Sequence, residues 1–225
     1  MTVTDGDEST LAFLNLEPDQ ILSALEALGF QCDGRFLTLN SYENRVYQIG
    51  IVDGPPVVAK FYRPRRWSDE QILEEHEFAA ELAALDIPVV PPLVVNGQTL
   101  HRAGHFRLSV SPCRGGRAPE LDDRNLTRQL GRLVARIHLA GESRPFEHRP
   151  RLDIESFGYR SADYLLDNGF IPDEMTDVYE GLTEHLFEEI EHSYERAGHL
   201  REIRLHGDFH PGNVLVAGEQ LHIVD

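Results

Sequence analysis

The sequence predicts an α+β fold with strands and helices segregated along the chain rather than alternating. Three observations carry that expectation. Short strand-like runs crowd residues 36 to 111, with a single amphipathic helix among them. From about Asp122 to Arg196 the apolar spacing turns helical, and after Arg204 the chain returns to two short apolar runs about a turn. Runs of strands followed by runs of helices point to this class rather than to a βαβ sheet.

In order, residues 1 to 14 carry no clear period and read as a frayed lead-in. A helix follows, with Pro18 in its first turn, Ile21, Leu22, Leu25 and Leu28 on one face and Gly29 as its stop. Strands are expected at Phe36–Leu39, Arg45–Ile49 and Val57–Tyr62, the first two joined by Asn40-Ser41-Tyr42-Glu43-Asn44, the last two by an Asp53-Gly54-Pro55-Pro56 turn. Ser41 can present a hydroxyl and a backbone N–H to an anion; on its own the stretch also reads as an ordinary polar turn.

Lys60 falls in Val57-Val58-Ala59-Lys60-Phe61-Tyr62, a strand apolar on both faces. An ammonium there either snorkels from an edge or is paired inside. The next helix opens on a capping box, Ser68-Asp69-Glu70-Gln71, and runs to about Leu85. Projected at about 100° per residue, Phe78, Leu82, Ala79 and Ile72 form one apolar arc, with Glu75 inside it and Glu74 at its rim. A carboxylate inside an apolar face needs a cation, because an unpaired buried charge is costly. Glu75 is therefore the expected partner of Lys60, with Glu74 the alternative.

Asn96-Gly97 signals a type I′ hairpin between Leu93–Val95 and Gln98–His101. A further strand, Phe106–Ser111, leads to Pro112-Cys113-Arg114-Gly115-Gly116, which reads as the domain boundary: residues 1–112 form one lobe and 113–225 the other. Beyond it, Asp122 or Asp123 caps a helix with Leu126, Leu130, Leu133 and Ile137 inward. A short helix near Ala162–Asp167 follows, then a long acidic one from Pro172 to about Arg196, stopped by Gly198. Its Leu182, Leu186 and Ile190 expect a covering surface.

The chain has 225 residues and a net charge of −17, so its overall field repels nucleic acid and anionic membranes. Its two cysteines, Cys32 and Cys113, have no metal spacing and fit a reducing compartment. Met1–Thr10 is acidic and polar, and no apolar run approaches the length of a membrane span. The expectation is a cytoplasmic protein with neither nucleic-acid nor membrane partner, monomeric at full length.

The chemistry is concentrated at the end. His206-Gly207-Asp208-Phe209-His210-Pro211-Gly212-Asn213 forms a loop before Val214–Val216, and Leu221–Val224 returns after Ala217-Gly218-Glu219-Gln220 as a hairpin. The hairpin brings Asp225 back beside Asn213, pairing a carboxylate with an amide oxygen suited to a hard cation such as Mg2+. Asp208, standing off from them, suits acceptance of a proton from an incoming hydroxyl. Those are the parts of phosphoryl transfer, in which the protein mainly positions groups and neutralises charge.

The same stretch resembles the catalytic loop and metal aspartate of aminoglycoside phosphotransferases, choline kinases and their relatives, H-G-D-x-H-x-x-N followed about a dozen residues later by Asp. His206, Asp208, His210, Asn213 and Asp225 fall on it without gaps. Leu39–Tyr47, Val58–Pro64 and Gln71–His76 look most like the bacterial stress response kinase A family, assigned as Ser/Thr protein kinases. The resemblance implies a bilobal protein-kinase-like fold, with a small antiparallel-sheet N-lobe and a mainly helical C-lobe that is truncated here. It implies ATP and Mg2+, with Asp208 as proton acceptor, Asn213 and Asp225 as metal ligands, Asp225 also catalytic, and Ser41 at the nucleotide. By kinase analogy Lys60, on a V-A-I-K-like strand, and Glu75 join the ATP site, and residues 112–116 become the hinge beside the adenine.

Two departures stand beside it. The turn holding Ser41 has no glycine, and the family continues well past its metal aspartate. A small-molecule kinase acting on an amino sugar, choline or homoserine-like alcohol, and a non-catalytic nucleotide-binding module, stay open as alternatives to the protein kinase. So does a D-x-H metallophosphoesterase reading of Asp208 and His210, which needs further downstream ligands.

Overall fold

A computed structural model describes Phe13 and residues 16–225. The lead-in expected over residues 1–14 otherwise lies outside these. Contacts divide the chain into two compact units. One comprises the residues up to Ser143 together with Arg204–Asp225, the other Arg144–Ile203.

The first unit is built on a five-stranded antiparallel sheet in the order β1-β2-β3-β5-β4. Its strands are β1 (Cys32–Leu39), β2 (Arg45–Ile51), β3 (Gly54–Tyr62), β4 (His101–Ala103) and β5 (Phe106–Pro112). Alternation along β3 sends Val57, Ala59 and Phe61 to one face and Lys60 and Tyr62 to the other. The first face joins Tyr47, Ile49, Phe106, Leu108 and Val110 in the main core, closed by Ile21 and Leu25 of helix α1 (Pro18–Ala27). Phe13 belongs to this core too, stacked 5.9 Å from Phe106. Helix α2 (Asp69–Ala84) meets the opposite face, where His76 bonds Tyr62.

The strands differ from expectation in three places. Strand β1 begins at Cys32 rather than Phe36, with an irregular register between the two. Strand β3 begins at Gly54, so Pro55 and Pro56 lie inside it instead of in the turn; Pro56 contributes its carbonyl to Cys113 N–H. Asn96 and Gly97 do take the left-handed angles of a type I′ turn (φ +51° and +78°), and Val95 and Gln98 exchange both backbone hydrogen bonds. The pairing stops there. Pro91 and Pro92 have no N–H to offer, and Leu93 N–H donates instead to Val110 of β5 (2.7 Å).

Helix α3 (Arg124–Gly141) is capped by Asp123, whose carboxylate accepts from Asn125 and Leu126 N–H. Arg136 on it donates to the carbonyls of Leu85 and Asp86 just past α2. At its end Arg204 N–H donates to Gly141 O (3.1 Å), and any Cβ on Gly141 would collide with the Arg204 carbonyl. The terminal hairpin, β6 (Val214–Ala217) and β7 (Gln220–Ile223), is clasped on both sides. Val216 and Arg117 exchange backbone hydrogen bonds, while Ile223 bonds Pro88 and Val90.

The second unit holds a π-helical turn (Glu155–Tyr159), α4 (Arg160–Asp167), a 3₁₀ turn (Asp173–Met175) and α5 (Thr176–Ala197), ended by Gly198 at φ +69°. Phe187 is its buried anchor: Tyr159 packs edge-on against it at 4.6 Å and donates to Glu191. Gly158 passes so close to Phe187 that a Cβ would come within 2.9 Å of the ring.

Candidate active site

Lys60 is the junction of the site. Its position on β3, opposite Val46 and Ser109, points it away from the main core. Its ion pairs are with Glu75 of α2, at 3.5 Å, and with Asp225 after β7. The side chain is only 17% exposed. Burial by itself would pull the ammonium's pKa down; Glu75, then Tyr62 and Asp225, overcome that and hold it above the ordinary lysine value. Lys60 therefore keeps its charge through the neutral range.

Beneath the junction runs a buried chain of polar groups. His76 lies between Tyr62 OH (Nε2, 2.7 Å) and Thr99 Oγ1 (Nδ1, 2.9 Å), and Tyr62 OH also meets Ser109 Oγ at 3.0 Å. The Lys60 ammonium lies 5.2 Å from the Tyr62 ring centroid, a cation–π contact. Desolvation pushes His76 down to about 4 and Tyr62 up to about 12, so both are neutral at pH 7. This network orients α2 through His76, the residue next to Glu75. Sequence reading missed it, although Tyr62 shares a strand face with Lys60 and His76 falls four residues after the inward Ile72.

The loop before the hairpin presents Asp208, its side chain 74% exposed. Asn213 donates through Nδ2 to the Asp208 carboxylate (3.1 Å) and to its carbonyl (3.0 Å). Asp208 is thus tied to Asn213 rather than standing apart, and the amide fixes one carboxylate oxygen. His210 Nε2 lies 3.6 Å from the same carboxylate, and its Nδ1 accepts from Gly212 N–H. His206 Nδ1 accepts from Asp208 N–H (3.3 Å), an acceptor role consistent with the neutral imidazole that burial favours by lowering its pKa. Gly207 supplies the left-handed turn between them (φ +85°).

Asn213 and Asp225 are brought together through the backbone: Val224 N–H donates to Asn213 O at 2.9 Å. The Asn213 amide oxygen accepts no hydrogen bond among the described residues, and the Asp225 side chain is 41% exposed. Both are oxygen donors of the kind that hard divalent cations take, so this pair fits such an ion. Among the described residues no three His, Cys, Asp or Glu side chains converge as metal ligands. Ser41 lies half-buried in the turn between β1 and β2, its hydroxyl accepting from Asn44 N–H and keeping its own proton to donate. Glu43 of that turn accepts from Trp67 Nε1 (2.8 Å) and Arg66 Nε (2.9 Å).

Arg204 is the other functional position missed in sequence. It is 2% exposed and immediately precedes the loop. Its guanidinium pairs with Glu81 of α2 (2.7 Å), covers Phe78 at 4.3 Å and donates to Ser143 Oγ and Ala140 O at the end of α3. One side chain thus ties the helix carrying Glu75 to the segment carrying Asp208. No local signal separates it from the surface arginines around it.

Residues 36–225 match the Phosphotransferase enzyme family, APH. "Stress response kinase A" of Escherichia coli (strain K12) is 38% identical over 213 residues, covering 93% of this chain and 63% of that protein. "Serine/threonine protein kinase RdoA" of Salmonella typhimurium (strain LT2) is 36% identical over 209 residues, with the same coverage. The chain therefore spans less than two thirds of the length of the curated relatives it matches. Among solved structures, the amicoumacin kinase hAmiN in complex with AMP-PNP, Ca2+ and Ami superposes with a TM-score of 0.69 at 21% identity, over 93% of this chain and 64% of that one. Spectinomycin phosphotransferase APH(9)-Ia, in complex with ADP and spectinomycin, gives 0.61 at 18% over 93% and 69%. At such identities these two structures speak for the fold. With residues 36–225 matching its model, the chain belongs to the phosphotransferase enzyme family.

Proposed function

We propose that the protein is an ATP- and Mg2+-dependent kinase that transfers the γ-phosphoryl group to a serine or threonine hydroxyl of a protein, in the cytoplasm. The observation that carries the reading is the Lys60 junction, a buried ammonium gathered by a helix carboxylate and a hairpin carboxylate, with an exposed, oriented aspartate on the loop that precedes the hairpin. The nucleotide lobe runs over residues 1–112 and the remainder, 113–225, carries the loop. A protein acceptor is supported by the names of the relatives at 36–38% identity, whereas the antibiotic kinases of similar fold are no more than 21% identical.

In this reading Lys60, held by Glu75, binds the phosphates, and the hydroxyl of Ser41 donates to them. A phosphate oxygen takes the place of Asp225 on Lys60. Asn213 and Asp225 would hold the Mg2+, which would supply charge neutralisation at the phosphate oxygens. Asp208 positions the acceptor hydroxyl and takes its proton as the bond to the γ-phosphorus forms and the bond from that phosphorus to the bridging oxygen breaks, releasing ADP. Phosphoryl transfer has a loose transition state, so positioning weighs more than strong deprotonation. The Asn213 amide leaves one Asp208 oxygen for that task.

The test is phosphate transfer from labelled ATP to a proteome extract and to a panel of small alcohols. Label in serine and threonine supports the protein acceptor; label only in an alcohol replaces it with a small-molecule kinase. Asp208→Asn is expected to lower turnover by roughly a hundredfold or more while MgATP affinity stays within a few-fold. Asp225→Ala should weaken Mg2+ dependence and nucleotide binding together. Near-normal transfer by Asp208→Asn to every acceptor would leave the loop as a nucleotide clamp only.

A further inference from the structure

A cleft of about 410 Å³ opens where β3 gives way to α2, formed by the loop after Tyr62 and the β4–β5 turn. Arg65, Arg102, Arg107 and His105 line it against a single acid, Asp69. That is a concentrated positive charge on a chain whose net charge is −17.

The guanidinium groups are held differently. Arg107 is the floor: its side chain is 11% exposed and donates to Asp69 Oδ1 (2.9 Å) and to Trp67 O (2.7 Å). Asp69 pairs with Arg102 through its other oxygen, and Arg102 still leaves 64% of its side chain in water. Arg65 is exposed and makes no hydrogen bond or ion pair among the described residues. Its backbone is left-handed (φ +65°), a conformation that residues with a side chain adopt at a cost. The loop thus sets in the cleft lining an arginine that has no hydrogen-bond or ion-pair partner among the described residues. Pro64 and Trp67 form the apolar wall beside these charges.

We propose that this cleft docks a phosphorylated peptide segment of a partner protein, with the phosphomonoester against Arg65, Arg102 and Arg107 and a neighbouring side chain against Trp67 and Pro64. A phosphomonoester brings nearly two negative charges and three acceptor oxygens, which suit several guanidinium forks at once. Arginine clusters are a recurring means of reading phosphorylated motifs. An inorganic anion would leave most of the volume and the apolar wall unused, and nucleic acid would face the repulsive field of the whole chain. The inference stands independently of the phosphotransfer reading.

Trp67 is the chain's only tryptophan, so its emission reports on this cleft alone. Emission and binding heat are to be followed as the protein is titrated with a degenerate phosphoserine peptide library. The unphosphorylated library, inorganic phosphate and a single-stranded oligonucleotide serve as comparison arms. The expected result is saturable one-to-one binding of the phosphorylated library, at least about tenfold tighter than the other arms. Arg65→Ala should weaken it about tenfold, the scale of one charge-assisted hydrogen bond, with an unchanged melting temperature because Arg65 has no partner to lose. Arg102→Ala should weaken it similarly. No saturable signal by either measurement overturns the proposal. So does binding that both variants retain, or equal affinity for inorganic phosphate or the oligonucleotide.

Discussion

A lysine buried between two carboxylates makes sharp demands on substitution. Lys60→Met leaves Glu75 and Asp225 facing each other without the cation that gathers them. Nucleotide binding is expected to fall at least about tenfold, the loss of one charge-assisted contact to phosphate. Calorimetric titration with MgATP checks this; Glu74→Gln, which leaves both ion pairs of Lys60 in place, should change affinity little. His76 gives a pH signature of its own. It titrates near 6.5 when unfolded and near 4 when folded, facing Tyr62, Thr99, Ser109, Lys60, Glu75 and His101. Between those values the unfolded chain binds more protons, so stability falls as pH drops from about 6.5 to about 4, by up to about 3 kcal/mol. Thermal melts across that window should show a steeper loss for the native chain than for His76→Gln, and equal slopes would refute the assignment. Much of this scale was legible in the sequence. The loop residues Asp208 and Asn213 lie within one motif, and helical projection selects Glu75. The contact of Lys60 with Asp225 spans 165 positions and has no local signature.

At the scale of elements, α2 is the helix on which the site turns, since it carries Glu75, His76 and Glu81. Its start is a true capping box: Ser68 Oγ accepts from Gln71 N–H, and Gln71 Oε1 accepts from Ser68 N–H. Ser68→Ala is expected to cost about 1 kcal/mol, as loss of such a cap typically does, read as a lower denaturation midpoint at unchanged slope. Capping, periodicity and the terminal hairpin were legible because each is a short-range pattern. The flanks of the Asn96-Gly97 turn were not, because prolines upstream removed the donors and β5 captured Leu93. Nor was the clasp of the hairpin by Arg117, Pro88 and Val90, which depends on backbone groups that any residue supplies.

For the molecule as a whole, the second unit leaves apolar surface in water. Val178, Leu182 and Leu186, four residues apart along α5, are 67%, 65% and 51% exposed. Such a stripe marks a face that expects cover. The 225-residue chain is expected to self-associate with rising concentration, and Leu182→Glu with Leu186→Glu should suppress it. Light scattering showing a monomer at all concentrations would remove the stripe from consideration. Among the described residues no helix is long and apolar enough to cross a membrane. The expected α+β class is the one observed. The fold class was legible because strands and helices are segregated along the chain.

The crossing of Gly141 and Arg204 has a consequence for how such a chain can change over time. Residues 144–203 leave and rejoin the first unit at essentially one point, closed by a backbone hydrogen bond and a contact too tight for any Cβ. A segment inserted between stapled ends can lengthen, shorten or be exchanged wholesale, since added loop length costs little once the ends are joined. A chain that tolerated such an exchange would still need a residue without a Cβ at position 141.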